Sequence, residues 1–418
     1  LIEKHTLPNG VRIVAESIPY VHSVSLGLWV GTGSRYETHY NNGISHFLEH
    51  MLFKGTKHRT ARELAEAFDE IGGHVNAFTS KEMTCYYAKV LDRHLTVALD
   101  VLADMYFHST LAEADIQKEQ KVVTEEIKMV EDTPDDIVHD WLDYAAMKQH
   151  GLGLPVLGSV ENVCSFDRSM LLDYQARHYR PDQLVITMAG KLPANYMREI
   201  EERFIHHQVG EGVIAQEPPR YTGEVIVKQK DTEQVHLCLG LPGLSASDPR
   251  IYSFILLNNL IGGNMSSRLF QDVREERGLA YSVFSYHSAY RDNGLFTIYA
   301  GTAAGQENEV IEIILYHLDD LRQRGITEEE LTKGKEQLKA SLMMNLESTD
   351  DRMSRLGRNE LLLNKHLSLE ETEANIEAIT SESLLELAQM VFSQPLSMAM
   401  ISPQGRLPAT YRRDALVI

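Results

Sequence analysis

The sequence predicts an α+β chain built as two similar halves. Three observations predict it: alternating apolar runs interleaved with helical stripes, a stretch that recurs at a fixed offset, and one segment that breaks every periodicity. The recurrence is LAEADIQKEQ from Leu111 and ITEEELTKGKEQ from Ile326, an offset of 215, each after a strand and a helix and each opening another helix. The breaking segment is His206 to Arg220, which carries Gly210, Gly212, Pro218 and Pro219. The expected domains are therefore residues 1–206 and 221–418, joined by a linker at 207–220.

Taken in order, LIEKHTLPNGVRIV reads as a strand, a Pro-Asn-Gly turn and a second strand. Residues 11 to 31 alternate through Val11, Ile13, Val24, Leu26, Leu28 and Val30, which predicts paired strands of a sheet with one covered face. The turn GTGSRYE leads into a helix. Ala61 to Ile71 is a short amphipathic helix stopped by Gly72 and Gly73, His74 to Val90 is a long strand pattern, and Asp92 to Phe107 returns to helix. Further helices are expected over Glu113 to Val130 and Ile137 to Lys148. A Gly-rich turn, another helix and a strand in HYRPDQLVITMAG close the first half.

Composition bounds the function. With 418 residues, 43% of them hydrophobic, the chain can bury more than one core, and a net charge of -20 argues against a nucleic-acid binder. Cys85, Cys164 and Cys238 are odd in number and widely spaced, so neither a disulfide framework nor a thiolate zinc site is expected. No run of 18 or more apolar residues suggests a membrane span. The cytoplasm is the expected compartment, although a chain opening on Leu1 leaves room for a removed leader.

The stretch with chemistry is Gly43 to Thr56, GISHFLEHMLFKGT. Ile44, Phe47, Leu48, Met51 and Leu52 form one apolar helix stripe, and at about 100° per residue His46, Glu49 and His50 fall opposite it. Two imidazoles one turn apart can grip a zinc ion, and the carboxylate between them can take a proton from a water beside it. The alternative is a solvated face that carries two His and one Glu, so a third ligand must decide. The helix Glu113 to Val130 offers one. Its stripe is Ile116, Val122, Val123, Ile127 and Val130, and Glu119 and Glu126 fall within that stripe, where a carboxylate is costly unless it binds a metal or a donor.

His46, Glu49 and His50, followed by Glu119 and Glu126, resemble the inverted-motif (HxxEH) zinc metallopeptidases of the pitrilysin, insulin-degrading enzyme and mitochondrial processing peptidase family. The wording SHFLEHMLFKGT looks most like its short-chain, bacterial processing-peptidase-like branch. The resemblance covers nearly the whole chain and implies two halves, each a mainly antiparallel sheet covered by helices, forming a clamshell around a chamber. It implies Zn2+ on His46, His50 and Glu126, Glu49 as general base and Glu119 as the carboxylate that orients a ligand imidazole. The strand NAFTS resembles the family's substrate strand, with Asn76 and Ala77 positioned to pair with an extended, unfolded peptide.

At the offset of 215, His46, His50, Glu119 and Glu126 fall on Ile261, Met265, Gly334 and Ser341, so one metal per chain is expected. The second half keeps Arg274 and Tyr281, which match the family's Arg-Tyr pair that contacts the substrate backbone. Residues alone allow a plainer account, an Arg in the last helical turn before Gly278 and a half-buried strand Tyr. Relatives of this fold also serve as non-enzymatic core or partner subunits, and these lack the metal motif or the Arg-Tyr pair. This chain has both, so it looks like a self-sufficient zinc endopeptidase, with a homodimer as the expected assembly.

Overall fold

The structure is a computed structural model describing residues 2–208 and 216–410; residues 209–215 of the expected linker lie outside the described residues. The strands are β1 (Ile2–Thr6), β2 (Arg12–Ser17), β3 (Ser23–Val30), β4 (His74–Thr79), β5 (Thr84–Leu91), β6 (Leu184–Gly190), β7 (Val225–Gln229), β8 (Gln234–Gly243), β9 (Ala280–Ala289), β10 (Gly294–Ala303) and β11 (Ser397–Ser402). The first-half helices are α1 (Ile44–Leu52), α2 (Ala61–Asp69), α3 (Leu95–His108), α4 (Glu113–Asp132), α5 (Pro134–Met147), α6 (Val160–Ser165), α7 (Arg168–His178) and α8 (Tyr196–Phe204). The rest are α9 (Ile251–Asn258), α10 (Glu307–Arg324), α11 (Glu328–Asn345), α12 (Thr349–Leu363), α13 (Leu369–Glu377) and α14 (Ser381–Phe392).

These elements form two compact units, and each takes chain from both halves of the sequence. One comprises Leu1–Lys128, Leu154–Glu217 and Met343–His366; the other comprises Met129–Gly153, Pro218–Leu342 and Leu367–Ile418. The first contains a six-stranded sheet in the order β1-β2-β6-β3-β5-β4, the second a five-stranded sheet in the order β7-β11-β8-β10-β9. Apart from the extra β1, the orders correspond strand for strand. Each sheet has one parallel pair, β2 with β6 and β7 with β11, and is otherwise antiparallel. The duplication is thus a structural one.

Three details differ from the sequence expectation. β2 and β3 are not partners, because β6 lies between them. The run from His74 to Val90 is a hairpin, with β4 turning back at Ser80 to Met83 onto β5 and left as the sheet edge. β3 is covered on both faces. On one, Leu26 and Leu28 join the core made with α1, α3, α4, α7 and α8; on the other, Trp29, Val14 and Val185 pack on Met353, Leu356 and Leu361 of α12.

α12 is held by polar contacts as well. Ser25 bonds Thr349 at 2.8 Å and Asp350 at 2.6 Å, and Arg352 pairs with Glu16 at 2.5 Å. The counterpart in the second unit is α5, whose Val138, Leu142 and Ala146 pack on Cys238, Tyr299 and Ala399 of that sheet. α5 starts at Pro134 and α12 at Thr349, again an offset of 215. The two halves of the sequence therefore exchange equivalent helices. A Cβ at Gly357 would stand 2.2 Å from the Trp29 ring, which is fully buried and donates from Nε1 to Thr187. Gly357→Ala is expected to lower stability by about 1–3 kcal/mol in denaturant unfolding, despite the better helix propensity of Ala.

Candidate metal centre

α1 is fixed at its first turn by a carboxylate from outside the helix. Gly43 precedes it at φ 99° and supplies no side-chain cap. Glu37 takes over: its Oε2 accepts from Gly43 N at 2.7 Å and Asn42 Nδ2 at 2.8 Å, and its Oε1 accepts from Ser45 N at 2.8 Å. Burial pushes the Glu37 carboxyl above its usual range against these donors. The apolar stripe of Ile44, Phe47, Leu48, Met51 and Leu52 is buried as the sequence predicts. The opposite face is not solvated either, since His46 and Glu49 are only 7% and 8% exposed.

On that face the Nε2 atoms of His46 and His50 stand 3.1 Å apart. Glu126 Oε2, reaching in from α4, lies 3.7 Å from each. Glu119, one face and two turns earlier on α4, accepts from His50 Nδ1 at 2.8 Å and pairs through its other oxygen with Lys54 at 2.7 Å. That bond places the His50 proton on Nδ1 and leaves Nε2 a free lone pair aimed at His46. Burial, then the neighbouring His50, lowers the pKa of His46 to about 3, the neutral form that a metal ligand needs. For His50, burial opposes the charged form, but the Glu119 hydrogen bond and the nearby carboxylates prevail and raise its pKa.

The donor set suits zinc. Two imidazole nitrogens and one carboxylate oxygen, all within 4.8 Å of one another, converge with two nitrogens face to face, an arrangement that a cation between them relieves. Glu49 stands outside this set. Its Oε2 accepts from the Thr79 hydroxyl of β4 at 2.6 Å, and burial raises its pKa while that bond works the other way. Within α4, Glu119 is buried at 3% exposure as expected, whereas Val122, assigned to the stripe from sequence, is 51% exposed. Glu37, Lys54 and Thr79 were not evident from sequence: Lys54 and Thr79 act on residues of other elements, and Glu37 caps α1 from an irregular turn, none of which leaves a periodic signal.

A family model described as Insulinase (Peptidase family M16) matches residues 12–160, and one described as Peptidase M16 inactive domain matches residues 165–338. An uncharacterized zinc protease of Bacillus subtilis, YmxG, is 53% identical over 409 residues, covering 98% of this chain and 100% of that protein. The chain belongs to peptidase family M16. A second relative, an uncharacterized zinc protease of Streptomyces coelicolor, is 39% identical over 99% of this chain and 92% of its own length. The fold of this M16 chain matches that of a protease from Helicobacter pylori with a TM-score of 0.91 at 22% identity, covering 96% of this chain and 100% of that one. It also matches a Pseudomonas fluorescens structure titled as a peptidase M16 inactive domain, with a TM-score of 0.89 at 19% identity over 97% and 99% of the two chains.

The other expected site residues of this M16 chain fall in two places. Asn76 and Ala77 lie on β4, whose outer side has no partner strand among the described residues; the Asn76 side chain accepts from Ala77 N at 2.8 Å. Arg274 and Tyr281 lie together in the second unit. The guanidinium stands 4.7 Å over the Phe270 ring and 5.0 Å over the Tyr281 ring. Tyr281 is 77% exposed, so the half-buried strand Tyr of the plainer account is not what the fold contains. Cys85 and Cys238 are buried core thiols, Cys164 is exposed, and no described helix is long and apolar enough to cross a membrane.

Proposed function

We propose that this M16 chain is a zinc endopeptidase that cleaves unfolded peptides or presequence-like segments, with one zinc at its catalytic centre. The observation that carries the reading is the convergence of His46, His50 and Glu126 beside a buried Glu49, in a chain whose full-length relatives are named zinc proteases. Zinc, when bound, supplies a Lewis acid that can polarise a peptide carbonyl and acidify a water. His46, His50 and Glu126 hold it. Glu119 keeps the His50 ring in its ligating tautomer, and Lys54 holds Glu119 in turn. Glu49, fixed through Oε2 by Thr79, takes the proton of the attacking water and returns it to the leaving amine.

In this reading the open edge of β4 receives the peptide as an added strand at Asn76 and Ala77, which only an extended chain can supply. A folded domain offers no free strand. Cleavage of a stable folded domain should accordingly be much slower than cleavage of its unfolded form. Digesting an unbiased peptide mixture with and without a chelator tests the activity. No cleavage by the zinc-loaded chain would instead favour a non-enzymatic core or partner subunit, and chelator-insensitive cleavage would remove the metal from the reaction.

Arg274 and Tyr281 are assigned to the substrate backbone. Arg274→Ala is expected to lower kcat/KM by about 1.5–3 kcal/mol and Tyr281→Phe by about 0.5–1.5 kcal/mol, the difference between charged and neutral donors. Because both would hold the same backbone segment, the two losses should be less than additive in a double-mutant cycle. Zinc content and melting temperature should stay near those of the unmodified chain. Losses in stability with kcat/KM per folded molecule unchanged would return the pair to the scaffold.

A further inference from the structure

We propose that His58, Asp104 and His108 form a second divalent-cation site, one that takes Zn2+ or a neighbouring late transition-metal ion and ties the segment after α1 to α3. Asp104 and His108 are one turn apart on α3, so their side chains share a face. His58 reaches them from the segment between α1 and α2. Its Nδ1 lies 2.7 Å from Asp104 Oδ1, and His108 Nδ1 lies 3.1 Å from the same oxygen. The two rings meet edge to face with centroids 4.7 Å apart.

The carboxylate is preset for this role. Asp104 is 5% exposed, and its Oδ2 is already held by Thr56 Oγ1 at 2.8 Å and Arg59 Nη1 at 2.7 Å, so Oδ1 is the oxygen left to face the imidazoles. All three candidate ligand atoms lie within 4.8 Å of one another. Ligands about 2.0–2.1 Å from a tetrahedral ion stand about 3.3 Å from each other, so the two nitrogen–oxygen spacings of 2.7 and 3.1 Å need to open by only a few tenths of an ångström. The surroundings favour a cation. Asp100 and Asp104 share Arg59, while Arg203 is matched by Glu199, which leaves the cluster net negative. A cavity of about 440 Å³ lined by His58, Arg59, Asp104, Phe107, His108 and Arg203 has room for an ion with its remaining waters. Two imidazoles and one carboxylate select Zn2+, Cu2+ or Ni2+ over Mg2+ or Ca2+.

The competing account is that the two imidazoles merely donate hydrogen bonds to Asp104. Glutamine separates the two, because its amide can still donate to Asp104 but does not replace imidazole as a ligand. The full chain carrying His46→Ala and His50→Ala, freed of metal by chelator and dialysis, is titrated with Co2+ by visible absorption and with Zn2+ by calorimetry. One equivalent is expected to bind and to raise the melting temperature. Adding His58→Gln and His108→Gln should weaken that binding by at least about 100-fold and leave the metal-free melting temperature unchanged. His58→Gln alone, at an exposed position, should already weaken binding if the double change perturbs the fold. No equivalent bound with the first centre disabled, or an equivalent indifferent to the Gln changes, would overturn the proposal. None of these readings measures peptidase activity, so the fate of the catalytic proposal does not enter.

Discussion

Replacing Glu49 by Gln is expected to lower peptidase kcat/KM by about 10² to 10⁴ while the chain keeps its zinc, the loss typical of removing a positioned general base. The substitution is close to isosteric, and the amide oxygen can still accept from the Thr79 hydroxyl that holds Oε2. The ligand set of His46, His50 and Glu126 is untouched. Shape and metal therefore survive and only the proton acceptor goes. Zinc measured by elemental analysis, together with single-turnover cleavage of an unstructured peptide, checks both parts. Near-normal turnover would remove Glu49 from the chemistry, and zinc lost in proportion to activity would make it a ligand-positioning residue.

Residues 1–206 expressed alone are expected not to fold to a native state. That piece lacks α12, so Val14, Met83, Trp29 and Val185 lose the cover of Met353, Leu356 and Leu361. Each large apolar side chain is worth about 1.5–3 kcal/mol on burial, so uncovering four costs about 6–12 kcal/mol, comparable to a domain's whole net stability of about 5–15 kcal/mol. The bonds of Ser25 to Thr349 and Asp350 and of Glu16 to Arg352 are lost as well. The same fragment also carries α5, whose apolar face belongs to the other unit's sheet. Supplying residues 343–366 in trans or by fusion should recover much of the structure. Cooperative unfolding and near-ultraviolet dichroism of the unaided fragment would refute the expectation.

What could be read from sequence was whatever a period encodes. The stripe of α1 and the inward placement of Glu119 follow from helical spacing, and the duplication from a fixed offset. The hairpin after Thr79 was hidden because Ser80-Lys81-Glu82-Met83 carries no Gly, Pro or Asn. It is held instead by Ser80 bonding Met83 O through both N and Oγ, and by a buried ion pair of Glu82 with Arg35 at 2.6 Å. The insertion of β6 between β2 and β3 pairs residues far apart in the chain, which alternation cannot report. Amphipathic helices α5 and α12 announce that they pack, but nothing in their pattern names the sheet. His58 gave no signal, since its partners lie on α3.

The helix exchange also sets an order in time. During synthesis, at roughly 5–20 residues per second, the strands of the first sheet are all made by Gly190, yet the helix that closes its second face is not finished until Leu363. Over that interval of about ten to thirty seconds the nascent chain holds an open apolar sheet face. α5 waits in the opposite sense, translated early and docked only after β8 and β11 exist. Neither unit can mature on the ribosome as an independent bead, and the chain's exposure to aggregation and to chaperones is fixed by the position of α12 near its far end.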